Sequence, residues 1–150
     1  MKVLLQRVIN ASVSINKEIN GSIDQGLLIL LGIAPDDAQA DIDWLIRKIT
    51  NMRIFNDEAG IMNLSCQDIG GRYLVISQFT LHASTKKGNR PSYIGAARPE
   101  IAIPLYETFV KQLGIASQTE IATGIFGADM QVALTNDGPV TICLDSKNKE

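Results

Sequence analysis

Apolar and polar positions alternate from the start of the chain. Val3, Leu5, Arg7 and Ile9 interleave with Lys2, Leu4, Gln6 and Val8, an apolar-rich opening that predicts a strand with both faces partly covered. Val13 and Ile15 continue as a second short strand, Asn20-Gly21 marks a turn, and Leu27 to Ile33 reads as a buried central strand. The period then changes. Ile42, Leu45, Ile46 and Ile49 recur at helical spacing, with Asp36 or Asp37 as the cap and Trp44 off the stripe. Met52 to Asn63 is polar and irregular, and Arg72 to Phe79 is a strong strand. A long polar loop, His82 to Arg98, follows; loops of this length are usually functional or mobile. A second helix carries Tyr106, Phe109, Val110 and Leu113 on one stripe, with Gly114 as its expected C-cap and Pro104 in its first turn or at a kink. Three short β segments close the pattern: 118–123, 129–135 and 140–144, the last two read as a hairpin, before a frayed polar tail, 145–150.

The expected fold is therefore a single α/β domain over residues 1–150, with a mixed β-sheet or partial barrel and two helices packed against it. Length and composition agree, since 150 residues with 45% hydrophobic and 20% charged residues suit one globular unit. No apolar run approaches the ~18 residues of a membrane span, and the opening lacks the apolar core of a signal peptide, so a cytoplasmic location is expected. Cys66 and Cys143 form no CxxC pair and His82 is the only histidine, so neither a metal site nor a cofactor is expected. The net charge of −2 offers no global attraction to nucleic acid, but Lys86, Lys87, Arg90 and Arg98 cluster within 13 positions with no acid among them. That cluster is either a solvated basic loop or a set of phosphate contacts.

Two segments strain the local rules. In Ser77-Gln78-Phe79-Thr80-Leu81 an apolar strand runs into polar residues just before the long loop, where a rigid scaffold commonly holds catalytic groups. The plainer alternative has Ser77 and Thr80 bonding nearby backbone. In Asn136-Asp137-Gly138-Pro139-Val140-Thr141, Asp-Gly signals a hairpin, yet Pro139 cannot donate a ladder hydrogen bond. A cis Gly138-Pro139 bond would aim two carbonyls the same way; an ordinary irregular turn is the alternative. A triad of Ser77 or Thr80 with His82 and an aspartate is rejected, because there is no GxSxG elbow and His82 is poorly placed as a base for Thr80.

Taken together, Ser77 to Leu81, Lys87-Gly88-Asn89-Arg90-Pro91-Ser92, Thr123 to Met130, and Asn136 to Thr141 resemble the D-aminoacyl-tRNA deacylases of the bacterial and eukaryotic type. Gln6-Arg7-Val8, Arg53-Ile54-Phe55 and Met62-Asn63-Leu64 fit as well, so the resemblance covers nearly the whole chain. It implies hydrolysis of the ester of D-aminoacyl-tRNA in chiral proofreading, by a homodimer with active sites at the subunit interface. It also implies a cis Gly138-Pro139 motif that reaches the partner's pocket and rejects L side chains by clash. A filter of that kind cannot reject glycine, so glycyl-tRNA should be hydrolysed too.

The resemblance places catalysis on Ser77, Gln78, Phe79 and Thr80. Two mechanisms fit. In one, the Thr80 hydroxyl attacks the carbonyl, but no obvious base stands by to activate it. In the other, the 2′-hydroxyl of the terminal adenosine assists water while a backbone N–H near Phe79 and Thr80 binds the oxyanion. Phe79, Phe126 and Met130 shape an adenosine pocket or belong to the core, Arg7 is a candidate buttress for the Gly-Pro turn, and Lys87 and Arg90 are candidates for phosphate contacts. His82 departs from the Tyr or Ala that the resemblance leads one to expect. The rival readings are another acyl-transfer hydrolase on the same scaffold and a silent RNA-binding module, which would need more stacking aromatics than 5% provides.

Overall fold

A computed structural model of the chain describes residues 1–149, and its spine is one long strand rather than two short ones. β1 (Lys2–Ile15) turns into β2 (Glu18–Ile23) through Asn16 and Lys17, with φ of 52° and 67°. Two consecutive positive φ values match the twist of a two-residue hairpin, and Ile15 pairs with Glu18 across it. The turn expected at Asn20-Gly21 lies instead inside β2. Gly21 is needed there for close approach, because a Cβ on it would sit 2.7 Å from the Thr123 carbonyl oxygen.

β3 (Gly26–Gly32) follows β2 along the same edge of β1, antiparallel to it. Next come α1 (Gln39–Asn51), a small hairpin of β4 (Phe55–Asn56) and β5 (Met62–Leu64), and β6 (Arg72–Ser77), which runs parallel to β3. The hairpin occupies a stretch that sequence pattern leaves irregular. α2 (Pro99–Ser117) and β7 (Ile121–Thr123), parallel to β6, lead to the final strand, β8 (Gln131–Asp145). The main sheet has the order β2-β1-β3-β6-β7, with β8 on the free edge of β1. Asn20 Nδ2 donates to the Thr123 carbonyl at 2.8 Å, so the first and last strands of that path meet and the mixed sheet is a nearly closed barrel.

Both helices cover one face of the sheet. Ile42, Leu45 and Ile49 of α1 and Tyr106, Phe109 and Leu113 of α2 are buried against Val3, Leu5, Leu27, Ile29 and Leu31. Each such side chain contributes roughly 1.5–3 kcal/mol of burial. The barrel interior is a second cluster, including Val8, Ala11, Val13, Leu28, Leu74 and Ile76. Neither expected helix cap holds. α1 starts after Ala38, whose N–H is taken by Asp41 at 2.9 Å, and Asp37 turns inward instead. α2 runs through Gly114 and stops at Gln118, which takes a left-handed φ of 54°.

Two further expectations are corrected. No hairpin occurs at Asp137-Gly138, because β8 is a single strand paired with β1 on both sides of that segment. The tail is not frayed at Asp145–Lys147. Asp145 ends β8, and Ser146 is buried with its N–H on the Met1 carbonyl at 2.9 Å. Ser146 Oγ accepts from the Met1 amino group at 2.8 Å and donates to Asp41 at 2.6 Å. The amino group also pairs with Asp37, both wholly buried, and Lys147 Nζ donates to Asp41 at 3.0 Å. Burial would push the Asp41 carboxyl up, but hydrogen bonds from Ser146, the Ala38 N–H and Lys147 outweigh it and hold it at about 2. Glu150, the end of the expected tail, lies outside the described residues.

Candidate active site

β6 delivers the first polar segment. Its parallel pairing with β3 sets Leu31 beside Ser77, and the Gln78 N–H continues the ladder to the Leu31 carbonyl at 2.8 Å. The strand then breaks into a 3-10 turn, Phe79–His82, closed by the Leu81 N–H on the Gln78 carbonyl at 3.2 Å and the Ala83 N–H on the Thr80 carbonyl at 3.0 Å. The backbone N–H groups of Phe79 and Thr80 stand at the start of that turn, where a helical turn has no internal acceptors. Neither makes a hydrogen bond among the described residues. Gln78 Nε2 donates to Thr80 Oγ1 at 2.6 Å, which leaves the threonine hydroxyl hydrogen free to donate.

Beside this turn lies a cavity of about 270 Å³. Ser77, Gln78 and Phe79 form one wall, Phe126 and Met130 a second, and Ala97 and Ala102 at the start of α2 a third. Phe79 is 55% exposed, while Phe126 and Met130 are half-buried, lining the cavity and touching the core behind it. Phe126 is held by an edge contact with Tyr106 at 5.9 Å between ring centroids. The Tyr106 hydroxyl donates to the Val75 carbonyl at 2.9 Å, and burial pushes its pKa up to about 12, so it stays protonated and a donor. Gly124 is a close-approach position, since a Cβ there would lie 2.3 Å from Met130 Sδ.

The lining includes residues that sequence reasoning missed: Ala97, Ala102, Gly127 and Ala128, whose small size makes the space. Gly127 and Ala128 lie inside the matched segment Thr123 to Met130, whereas nothing in the pattern marks Ala97 or Ala102. None of the 13 lining residues carries an ionisable side chain. A larger cleft of about 440 Å³, lined by Lys2, Trp44, Leu81, Cys143 and their neighbours, contains none of the candidate residues. His82 is half-buried, and its Nε2 is buried without a partner among the described residues.

The second polar segment lies elsewhere on the chain. Between the pairs Gln6–Thr141 and Val8–Asn136, β1 has one residue, Arg7, where β8 has four, Asp137 to Val140. Gly138-Pro139 is thus the crest of a bulge in a continuous strand, which explains how a proline is accommodated there. The Gly138-Pro139 bond is cis, and Gly138 has φ 123° with Arg7 Nη2 only 2.9 Å from where a Cβ would be. Arg7 is buried beneath the bulge. Its Nε donates to the Asp137 carbonyl at 3.0 Å and pairs with the Asp137 carboxylate at 3.2 Å; its Nη1 donates to the Ile54 carbonyl at 2.5 Å. Asn136 braces the other side, accepting from the Val140 N–H at 3.1 Å and donating to Thr141 Oγ1 at 3.0 Å. Gly138 and Pro139 are exposed and, like Arg7, do not line the cavity of their own chain. Lys87 and Arg90 lie on the exposed loop between the turn and α2.

Comparison with known proteins decides what this arrangement belongs to. The family described as D-Tyr-tRNA(Tyr) deacylase matches residues 4–145. D-aminoacyl-tRNA deacylases of Bacteroides thetaiotaomicron and Flavobacterium psychrophilum are 63% and 61% identical over 150 residues, all of each chain. The chain belongs to this family. Membership makes it an enzyme, a hydrolase of aminoacyl-tRNA esters. Solved relatives place the family on this fold. The c-Myc DNA unwinding element binding protein superposes with a TM-score of 0.91 at 41% identity, covering 97% of this chain and 98% of its own. A probable eukaryotic D-amino acid tRNA deacylase superposes with a TM-score of 0.82 at 14% identity, over 95% and 97% of the two chains, a likeness of fold alone. No helix among the described residues is long and apolar enough to cross a membrane.

Proposed function

We propose that this deacylase removes D-amino acids from tRNA as a chiral proofreader, releasing the free D-amino acid and intact tRNA in the cytoplasm. The observation that carries the mechanism is a cavity free of ionisable groups and lined by Phe79, whose backbone N–H is unpartnered, as is that of Thr80 next in the chain. The terminal adenosine enters between Phe79, Phe126 and Met130. The N–H groups stabilise the oxyanion as the water oxygen bonds to the carbonyl carbon, and the bond to O3′ breaks with a proton passing to O3′. The adenosine 2′-hydroxyl orders that water. Thr80 acts as a donor rather than a nucleophile: its neighbour Gln78 donates to it, and an amide supplies no base to take its proton.

Handedness is read by rejection. In a homodimer, the Gly138-Pro139 turn of one protomer enters the pocket of its partner, and backbone carbonyls hold the substrate's amino group. Support for this reading is that the turn is exposed, braced from below by Arg7 and Asn136, and outside its own chain's cavity. An L side chain held the same way would meet a wall that cannot yield. Lys87 and Arg90 contact phosphates.

The test is hydrolysis of D-tyrosyl-, L-tyrosyl- and glycyl-tRNA side by side, with a fourth substrate ending in 2′-deoxyadenosine. D-tyrosyl- and glycyl-tRNA should be cleaved, L-tyrosyl-tRNA spared, and the deoxy substrate slowed by about 10²-fold or more, as for loss of a positioned proton-transfer group. Resistance of glycyl-tRNA would sink rejection by clash, and a deoxy substrate cleaved at full rate would sink the 2′-hydroxyl mechanism.

A further inference from the structure

Two exposed aromatic rings meet at the lip of the cavity. Phe79 is 55% exposed and Tyr93 is 41% exposed, with centroids 5.1 Å apart and planes at 78°. They come from different elements, the 3-10 turn and the long loop. Ile94, 91% exposed, extends the apolar surface. Large aromatics left in water beside each other contribute little to folding, so the pair calls for another account.

The loop that carries Tyr93 is not slack. Ser84 and Ser92 exchange backbone hydrogen bonds at 2.8 and 2.9 Å, closing residues 85–91 into a lobe with Tyr93 directly at its base. The Ala96 N–H on the Tyr93 carbonyl at 3.0 Å and the Ala97 N–H on the Ile33 carbonyl at 2.8 Å fix the descending side. The lobe holds Lys86, Lys87 and Arg90 and no acidic residue. From the cavity outward the order is therefore Phe79 at the lip, Tyr93 next, then a cationic lobe. A π-face followed by cations suits a single nucleic-acid strand, whose bases stack while its phosphates face the charge.

We infer that Tyr93, cornered against Phe79, is the stacking platform for the nucleotide before the terminal adenosine, a cytidine in every tRNA. This rests on the proposed seating of the terminal adenosine in the cavity and adds a second base contact outside it. Stacking reads no base edge, so this contact adds affinity for the common 3′ end without favouring one tRNA over another. The step from one nucleotide to two then raises affinity, and Tyr93 supplies the rise.

The test is binding of uncharged adenosine and of the dinucleotide cytidylyl-adenosine by the full-length protein, alongside hydrolysis of their D-tyrosyl esters. Tyr93→Ala should weaken dinucleotide binding about tenfold, within the range for losing one base–aromatic stack, and leave adenosine binding unchanged. Tyr93→Phe should retain both. The same split should appear in kcat/KM of the esters, through KM. Equal losses on adenosine and dinucleotide, no loss on either, or an oligomeric state altered by Tyr93→Ala in sedimentation would overturn the assignment. Binding is read apart from hydrolysis: dinucleotide binding that depends on Tyr93 without ester cleavage would uphold the platform and reject the deacylation mechanism.

Discussion

The molecule handles charge in two opposite ways at two places. Where the termini meet, the Met1 amino group, Asp37, Asp41 and Lys147 form a network with opposite charges within 4 Å, its core removed from water. On the lobe above the cavity, Lys86, Lys87 and Arg90 are exposed and make no ion pair among the described residues. A buried charge must be paired at home because its desolvation cost is several kcal/mol. A solvated cation with no partner costs nothing to leave waiting and remains available to an incoming phosphate. The first arrangement holds the fold, and on the proposed function the second meets the tRNA, so substitutions in each should act on different observables.

The largest effect is expected at Asp37. Replacing it with Ala leaves the Met1 amino group buried without its main counter-charge and should cost about 3–5 kcal/mol in urea denaturation. A variant as stable as the parent would break the comparison at its strongest point. Asp41 comes next. Its carboxyl lies at about 2 in the fold against an ordinary 3.8, so its contribution is complete above pH 4 and lost as pH falls toward 2. Asp41→Asn should lose about 2 kcal/mol at neutral pH, and the difference from the parent should close across that acid window; a difference independent of pH would mean packing rather than charge. The smallest effect on the fold belongs to the lobe. Lys87→Ala with Arg90→Ala should leave the denaturation midpoint in place. It should weaken binding across tRNA species and flatten the log–log salt dependence by about 0.7–0.9 per lost phosphate contact. An unchanged salt slope would remove both residues from the phosphate-binding surface.

Much of this architecture was legible in residue pattern, and the failures share a cause. The stripes Ile42, Leu45, Ile49 and Tyr106, Phe109, Leu113 located both helices because burial imposes the helical period directly. Local turn chemistry misled where a distant strand set the backbone. Gly21 looked like a turn but makes room for Thr123, and Asp137-Gly138 looked like a hairpin but crowns a bulge whose partner, Arg7, lies far away in sequence. Asp37 looked like a helix cap because nothing nearby announces the amino group it pairs with. At the candidate site, motif resemblance singled out Ser77 to Thr80, Phe126 and Met130, of which all but Thr80 line the cavity. Ala97 and Ala102 stayed hidden, and so did the Phe79–Tyr93 pair, since a small or aromatic residue announces nothing until its neighbour is known.

The bulge at Gly138-Pro139 also has an arithmetic. From the Lys2–Asp145 pair to the Ser14–Gln131 pair, β1 advances 12 residues while β8 advances 14. The surplus is two, an even number, and side-chain direction in a strand has a period of two. Even so, Val132 and Leu134, before the turn, pack on the barrel-interior cluster, whereas Ile142 and Leu144, beyond it, pack on the cluster beneath the helices. The turn is where one continuous strand passes from one core to the other. A residue added or removed there must be taken up within the unpaired stretch between Asn136 and Thr141, or one half of β8 would turn its polar face to the core it now covers.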